Sequence, residues 1–297
     1  MTQQQRTAVD GILRDSPLDL GGDLGAQREV FEQMMSAVPT PDDVETSPTT
    51  LGTVPAVSVD IRGSTTHGVV LYFHGGAYAI GTALLAAGLA SDIGRRVGAR
   101  VISVEYRLAP EHPYPAAIED AVTAYRALLD YGVASTEIVF AGESAGGGLV
   151  AATLVALKST DLPLPAAAYV ISPWADLSLT GESLATKAAA DPALTPAGLA
   201  RRARDYLGAQ DPRQGAVSPV FADLTGLPPL LIQVGGNEVL LDDSTRLATR
   251  AAADGVAVTL DVTPDVPHVF VGFAAMLDEA AEALDRGGLF LRSHLRH

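Results

Sequence analysis

The chain has 297 residues, 47% of them hydrophobic, which is enough to bury the core of one large domain or two small ones. With 35 acidic residues against 20 basic ones its formal charge is -15, so a nucleic-acid backbone or an anionic membrane surface is disfavoured as a partner. The absence of cysteine excludes disulfides, thiolate metal sites, iron–sulfur ligation and a cysteine nucleophile.

Residues 1–10 are polar and lack the basic start and apolar core of a secretion signal, and the apolar stretch 82–90 is too short to span a bilayer. The expectation is a soluble cytoplasmic protein without a membrane span. The first stretch, about 11–47, reads as helical. Short β-branched and apolar runs then follow at 69–73, 101–104, 138–141, 168–172, 230–234 and 256–262, without the polar alternation of a half-exposed sheet. Between them lie helical patterns at 84–97, 116–130, 145–158, 243–253 and 273–292, the crossovers that parallel strands require. Asp242 or Asp243 is placed to cap the helix near Ser244, and Gly255 sits past its end.

The insertion 177–215 also reads as helical. It follows a strand's carboxyl end, where ligands bind in open α/β sheets, so with the first stretch it is expected to form a lid; the alternative is an extra packing helix pair. The fold class is therefore α/β, with a mostly parallel central sheet flanked by helices in one domain. A helical cap from about 1–47 and 177–215 covers a catalytic core from about 48–176 and 216–297.

Gly142-Glu143-Ser144-Ala145-Gly146 follows the run 138–141 and opens a small-residue helix. A serine in such a strand–turn–helix junction is lifted above the sheet edge, and the unpaired Ala145 amide faces a developing oxyanion. After the run 69–73, His74-Gly75-Gly76-Ala77-Tyr78 supplies main-chain amides that converge on one point; the Lys-Ser/Thr ending of a phosphate loop is missing. It is read as half of an oxyanion hole, with Gly75, Gly76 or Ala77 as donors.

Of the histidines, His294 and His297 lie in the tail, His67 precedes the first core strand, His112 is fixed between Glu111 and Pro113, and His74 braces the glycine loop. His268, in the loop after the last strand, is the candidate base. Glu238 is the candidate acid because Asp242 and Asp243 already have a capping role. The order Ser144, Glu238, His268 is that of α/β-hydrolases.

Three blocks, His74-Gly75-Gly76-Ala77, Tyr106-Arg107-Leu108-Ala109-Pro110-Glu111-His112-Pro113-Tyr114-Pro115-Ala116-Ala117 and Gly142-Glu143-Ser144-Ala145-Gly146-Gly147, resemble the hormone-sensitive lipase family of microbial esterases from about Thr66 to the carboxyl terminus. The resemblance implies an α/β-hydrolase fold and a serine carboxylesterase for short to medium acyl chains, needing no cofactor or metal. The chain departs from the family at Ala77, where glycine is usual, and at Glu105 and Glu143, where aspartate is commoner. Neither glutamate is expected to touch the mechanism. The acid motif Gly-x-Asp-x-Leu-x-Asp reads Gly236 to Asp242, which puts Glu238 at the acid position and leaves Asp242 as the fallback.

Arg107, Glu111 and Asp120 are expected to fix the loop beneath the site. Tyr78 and Phe270 are placed by adjacency to shape the pocket, and Trp174 either lines it or packs the lid. A lactonase, deacetylase or amidase could use the same triad, and a non-catalytic small-molecule receptor is the rival from another class. The partner is a small-molecule ester, and the edge strand 256–262 offers a route to a homodimer.

Overall fold

The protein's structure, a computed structural model, describes residues 3–64 and 66–296. All six expected strands are present: β3 (Val69–Phe73), β4 (Arg100–Val104), β5 (Ile138–Glu143), β6 (Ala167–Ile171), β7 (Leu230–Gly235) and β8 (Val258–Thr263). They run parallel. Two further strands, β1 (Val44–Leu51) and β2 (Val54–Ile61), pair antiparallel with each other, and β2 lies antiparallel beside β4, giving the order β1-β2-β4-β3-β5-β6-β7-β8.

The inner parallel strands β3 to β7 read as continuous apolar runs because both faces are covered. Leu71 and Phe73, Ile138 and Phe140, and Ala168 and Val170 face a core built with α4 (Ala116–Asp130), α5 (Ala145–Leu157) and α8 (Leu241–Ala253). The alternate residues Val70 and Tyr72, Val139 and Ala141, and Tyr169 and Ile171 face α3 (Ala87–Val97) and α9 (Asp278–His294). Among the described residues no helix is long and apolar enough to cross a membrane.

The first stretch is helical only in part. It forms α1 (Gln3–Arg14) and α2 (Leu24–Ser36), and the chain then enters β1 at Val44 rather than continuing as helix to residue 47. The insertion contributes the single turn α6 (Ser183–Thr186) and α7 (Pro196–Leu207), the latter capped by Thr195 with Pro196 in its first turn. The two segments meet: Arg14 Nη2 donates to Ala190 O at 3.2 Å and Arg201 Nη1 to Gly21 O at 2.5 Å. From α2, Arg28 holds Ala79 O and Ala109 O and grips Glu111 with both terminal nitrogens, at 2.6 and 2.7 Å.

Neither aspartate caps α8. Both lie in its first turn and reach sideways, Asp243 accepting the Ala175 and Asp176 amides and Asp242 the Ser183 amide, so they tie the helix to the segment after β6. Gly255 does follow the helix end, at φ +77°.

Candidate active site

Ser144 stands between β5 and α5 at φ 55° and ψ -122°, a backbone conformation in which a serine is strained. The turn closes because its neighbours are glycines: a Cβ on Gly146 would lie 2.0 Å from Phe73 O and 2.5 Å from His74 O. This close approach also sets the glycine loop against the serine, since a Cβ on Gly75 would sit 3.2 Å from Ser144 Cβ.

His268 arrives from the loop after β8. Its Nε2 is 2.9 Å from Ser144 Oγ and its Nδ1 is 2.7 Å from Glu238 Oε2. The other oxygen of Glu238 accepts the Gly235 amide at 2.6 Å and the Ser172 hydroxyl at 2.8 Å, so a fully buried carboxylate has its acceptors matched. Burial lowers the basicity of His268, but the charge of Glu238 and its hydrogen bond outweigh that, and the imidazole is held above its ordinary value of 6.5. Asp242 makes no contact of this kind; its carboxylate is bound to the Ser183 amide.

In the glycine loop, Tyr106 Oη donates to His74 O at 2.6 Å, and His74 Nδ1 lies 2.7 Å from Gly75 O. Gly76 O accepts the Ala79 and Ile80 amides. The Gly75 amide donates to Glu143 Oε1 at 2.6 Å. That bond removes Gly75 from the candidate oxyanion donors. Among the described residues the amides of Gly76 and Ala77 have no acceptor.

Tyr78 is buried beside the loop, stacked on Tyr206 of α7 with ring centroids 4.0 Å apart and 6.0 Å from the Trp174 ring. Trp174 therefore packs where the insertion meets the core. Phe270 does not join them: it is fully buried with Tyr72, Ile171 and Val266 on the face of α3 and α9, because its short helical turn directs it beneath the sheet.

Burial holds His74 down at about 4, so it stays neutral while stacked on Tyr106. His294 bonds Phe290 O at the end of α9, and His297 lies outside the described residues. Arg107 binds Asp120 through its guanidinium and its amide, and Glu111 binds Arg28, so these charges hold loops.

Residues 70–272 match a family model described as an alpha/beta hydrolase fold. The crystal structure of an esterase from the bacterial hormone-sensitive lipase family superimposes with a TM-score of 0.95 at 42% identity, over 100% of both chains. The chain belongs to that family. An acetyl-hydrolase of Streptomyces hygroscopicus is 47% identical over 224 residues, 75% of each chain. An esterase of Acinetobacter venetianus is 36% identical over 87% of this chain and 86% of its own. As a member of the hormone-sensitive lipase family with such relatives, the protein is a carboxylic ester hydrolase.

One departure from the family pattern has a visible consequence. Ala77, where the family usually has glycine, holds φ +52°, and Tyr78 after it holds φ +59°. Side-chain-bearing residues pay about 1–2 kcal/mol each in this region, so the loop is kept in shape by its surroundings. Several residues at the site were not singled out by sequence reasoning. Ser172 binds Glu238 and accepts the Val269 amide at 3.1 Å, and Asp191 of the insertion binds the Val239 amide at 2.8 Å. Glu143, set aside in the sequence reading, holds the glycine loop. Serine before Pro-Trp at a strand end is a weak signal for Ser172, and Asp191 gives no local signal, because its partner is distant in sequence.

Proposed function

We propose that the protein is a serine carboxylesterase that hydrolyses esters of short to medium acyl chains through an acyl-enzyme intermediate. The observation that carries this is the unbroken line from Ser144 Oγ to His268 Nε2 to Glu238, at 2.9 and 2.7 Å. His268, with its Nδ1 proton held by Glu238, takes the Ser144 proton as the serine oxygen attacks the ester carbonyl. The tetrahedral oxyanion is received by the amides of Gly76, Ala77 and Ala145. Collapse expels the alcohol, which leaves with the proton from His268, and water attacks the acyl-enzyme by the same route to release the acid and restore Ser144.

The two amino-terminal helices and residues 177–215 act together as a cap over this site, and the Tyr78, Tyr206 and Trp174 rings form its wall on the side of α7. The likeness to an acetyl-hydrolase supports short acyl groups as the substrates within this class. A release assay on nitrophenyl esters from acetate to dodecanoate tests the reading. Activity should peak at short chains and disappear in Ser144→Ala, and Glu238→Ala should lose orders of magnitude where Asp242→Ala loses little. Activity surviving in Ser144→Ala contradicts it, and the reverse ranking moves the acid to Asp242.

The outermost strand β8 leaves Leu260 and Val262 exposed, and we propose that it pairs with β8 of a second copy. A monomeric mass in light scattering at micromolar concentration removes that pairing.

A further inference from the structure

The residue before the nucleophile carries a carboxylate whose surroundings are more ordered than a spacer needs. Strand parity explains where it goes. In β5, Ile138 and Phe140 face α4 and α5, whereas Val139 and Ala141 face the layer of α3 and α9. Glu143, two residues beyond Ala141, continues on that second face. Ala141 is in register with Tyr72 of β3, which lies on the same face. The side chain of Glu143 is therefore directed to the place where β3 ends and the glycine loop begins.

There both carboxylate oxygens are engaged. Oε1 accepts the Gly75 amide at 2.6 Å, and Oε2 accepts a hydrogen bond from the Tyr72 hydroxyl. Held at both oxygens, the carboxyl group keeps one orientation and fixes the amide that it accepts. The other polar groups of the turn are fixed as well: His74 O by Tyr106, Gly75 O by the His74 ring, and Gly76 O by two amides. The bond from the Gly75 amide to Glu143 ties the turn, through a side chain, to the segment carrying the nucleophile. With that amide bound, the next two, Gly76 and Ala77, are the ones left for the substrate.

We infer that Glu143 is a positioning residue for ester hydrolysis, its carboxylate clamping the Gly75 amide so that the Gly76 and Ala77 amides are presented to the oxyanion at a fixed distance from Ser144. The inference rests on the proposed serine mechanism and goes beyond it by assigning a task to the variable position of the G-x-S-x-G turn. It explains how Ala77 and Tyr78 are both kept at positive φ: the loop is anchored on its amino-terminal side by an acceptor reaching up from the strand below. A loop freed from that anchor would move its donors away from the developing charge, and oxyanion donors act only when already in place.

The test is pre-steady-state hydrolysis of nitrophenyl acetate by the wild type, Glu143→Leu, Glu143→Gln and Tyr72→Phe, each first shown to be folded by its thermal melt. Glu143→Leu, which removes both acceptors, should slow acylation by about tenfold to a hundredfold with KM within about twofold, as expected for donors misplaced in the transition state only. Glu143→Gln keeps an oxygen for the Gly75 amide and should stay within about threefold of the wild type. Tyr72→Phe frees one end of the carboxylate and should slow acylation severalfold, which keeps the inference open to refutation if Glu143→Leu does not fold. Acylation at the wild-type rate in a folded Glu143→Leu or in Tyr72→Phe overturns the inference, as does a rise in KM that accounts for the whole loss. A wild type with no product burst dependent on Ser144 instead overturns the serine mechanism itself.

Discussion

The carboxylate of Asp191 in the insertion accepts the Val239 amide at 2.8 Å, and Val239 directly follows Glu238. Its other oxygen accepts the Ala193 and Leu194 amides at 2.8 and 2.9 Å, so one buried side chain organises the insertion and holds the loop that carries Glu238. Asp191→Ala leaves these amides without acceptors and should cost about 2–4 kcal/mol of stability. It should also lower kcat more than it raises KM, because the Glu238 loop loosens. Thermal melts and steady-state kinetics check both, and an unchanged melt contradicts the coupling.

In the proposed mechanism His268 must be neutral at Nε2 to take the serine proton. Burial lowers its basicity, yet Glu238 raises it above 6.5, so kcat/KM should rise with pH through a midpoint above that value. Glu238→Gln removes the charge and leaves the burial, so the midpoint should fall. The stability term has the opposite sense: the folded protein binds this proton more tightly than the unfolded chain, so the contribution is complete below 6.5 and is lost as the pH rises through the folded midpoint. A pH–rate profile of the variant with a midpoint at or above the wild type's contradicts this assignment.

Glu143 gives a stability prediction of its own. Desolvation pushes it up to about 7 from 4.5, against the pull of Tyr72, the Gly75 amide and His268. The folded state therefore holds this proton between those two values, and the associated stability, present below 4.5, is lost as the pH rises through 7. Glu143→Gln abolishes the charge. It should raise the melting temperature relative to the wild type more at pH about 8 than at pH about 5, since the penalty it removes exists only when the group is ionised. An equal shift at both pH values excludes this origin.

Gly146 has no room for a side chain. An added Cβ would lie 2.0 Å from Phe73 O, a backbone atom in the centre of the sheet that cannot step aside. Gly146→Ala should destabilise by more than about 3 kcal/mol and abolish activity. Soluble protein with a wild-type melt would contradict the packing described for the turn.

The inner parallel strands were legible because burial on both faces leaves a plain signal, an uninterrupted apolar run such as 69–73 or 138–141. The antiparallel pair was not. β1 reads Val-Glu-Thr-Ser-Pro-Thr-Thr-Leu, largely exposed at the sheet edge, with Pro48 inside it, and a proline in a polar run argues against a strand unless it lies at an edge. β2 carries Pro55 near its start and follows the tight turn at Gly52.

At the site, Ser144, His268 and Glu238 were candidates from turn chemistry and loop order, and the structure brings those three side chains within hydrogen-bond distance. What escaped was long-range geometry. Asp242 and Asp243 look like helix caps from their spacing, yet their carboxylates reach residues about 60 to 70 positions away. Adjacency likewise suggested Phe270 for the pocket, but the helical turn after Val269, itself at φ +51°, turns it under the sheet. The Gly75 amide could not be excluded as an oxyanion donor without knowing that Glu143 lies beneath it.

The most direct measurement is intact-protein mass spectrometry of the enzyme quenched within its first turnovers on nitrophenyl acetate, followed by peptide mapping. The account predicts a single acetyl group on the peptide containing Ser144, forming with the burst of nitrophenol and absent in Ser144→Ala. Rapid nitrophenol release with no acyl adduct, or an adduct that persists in Ser144→Ala, would contradict the covalent mechanism.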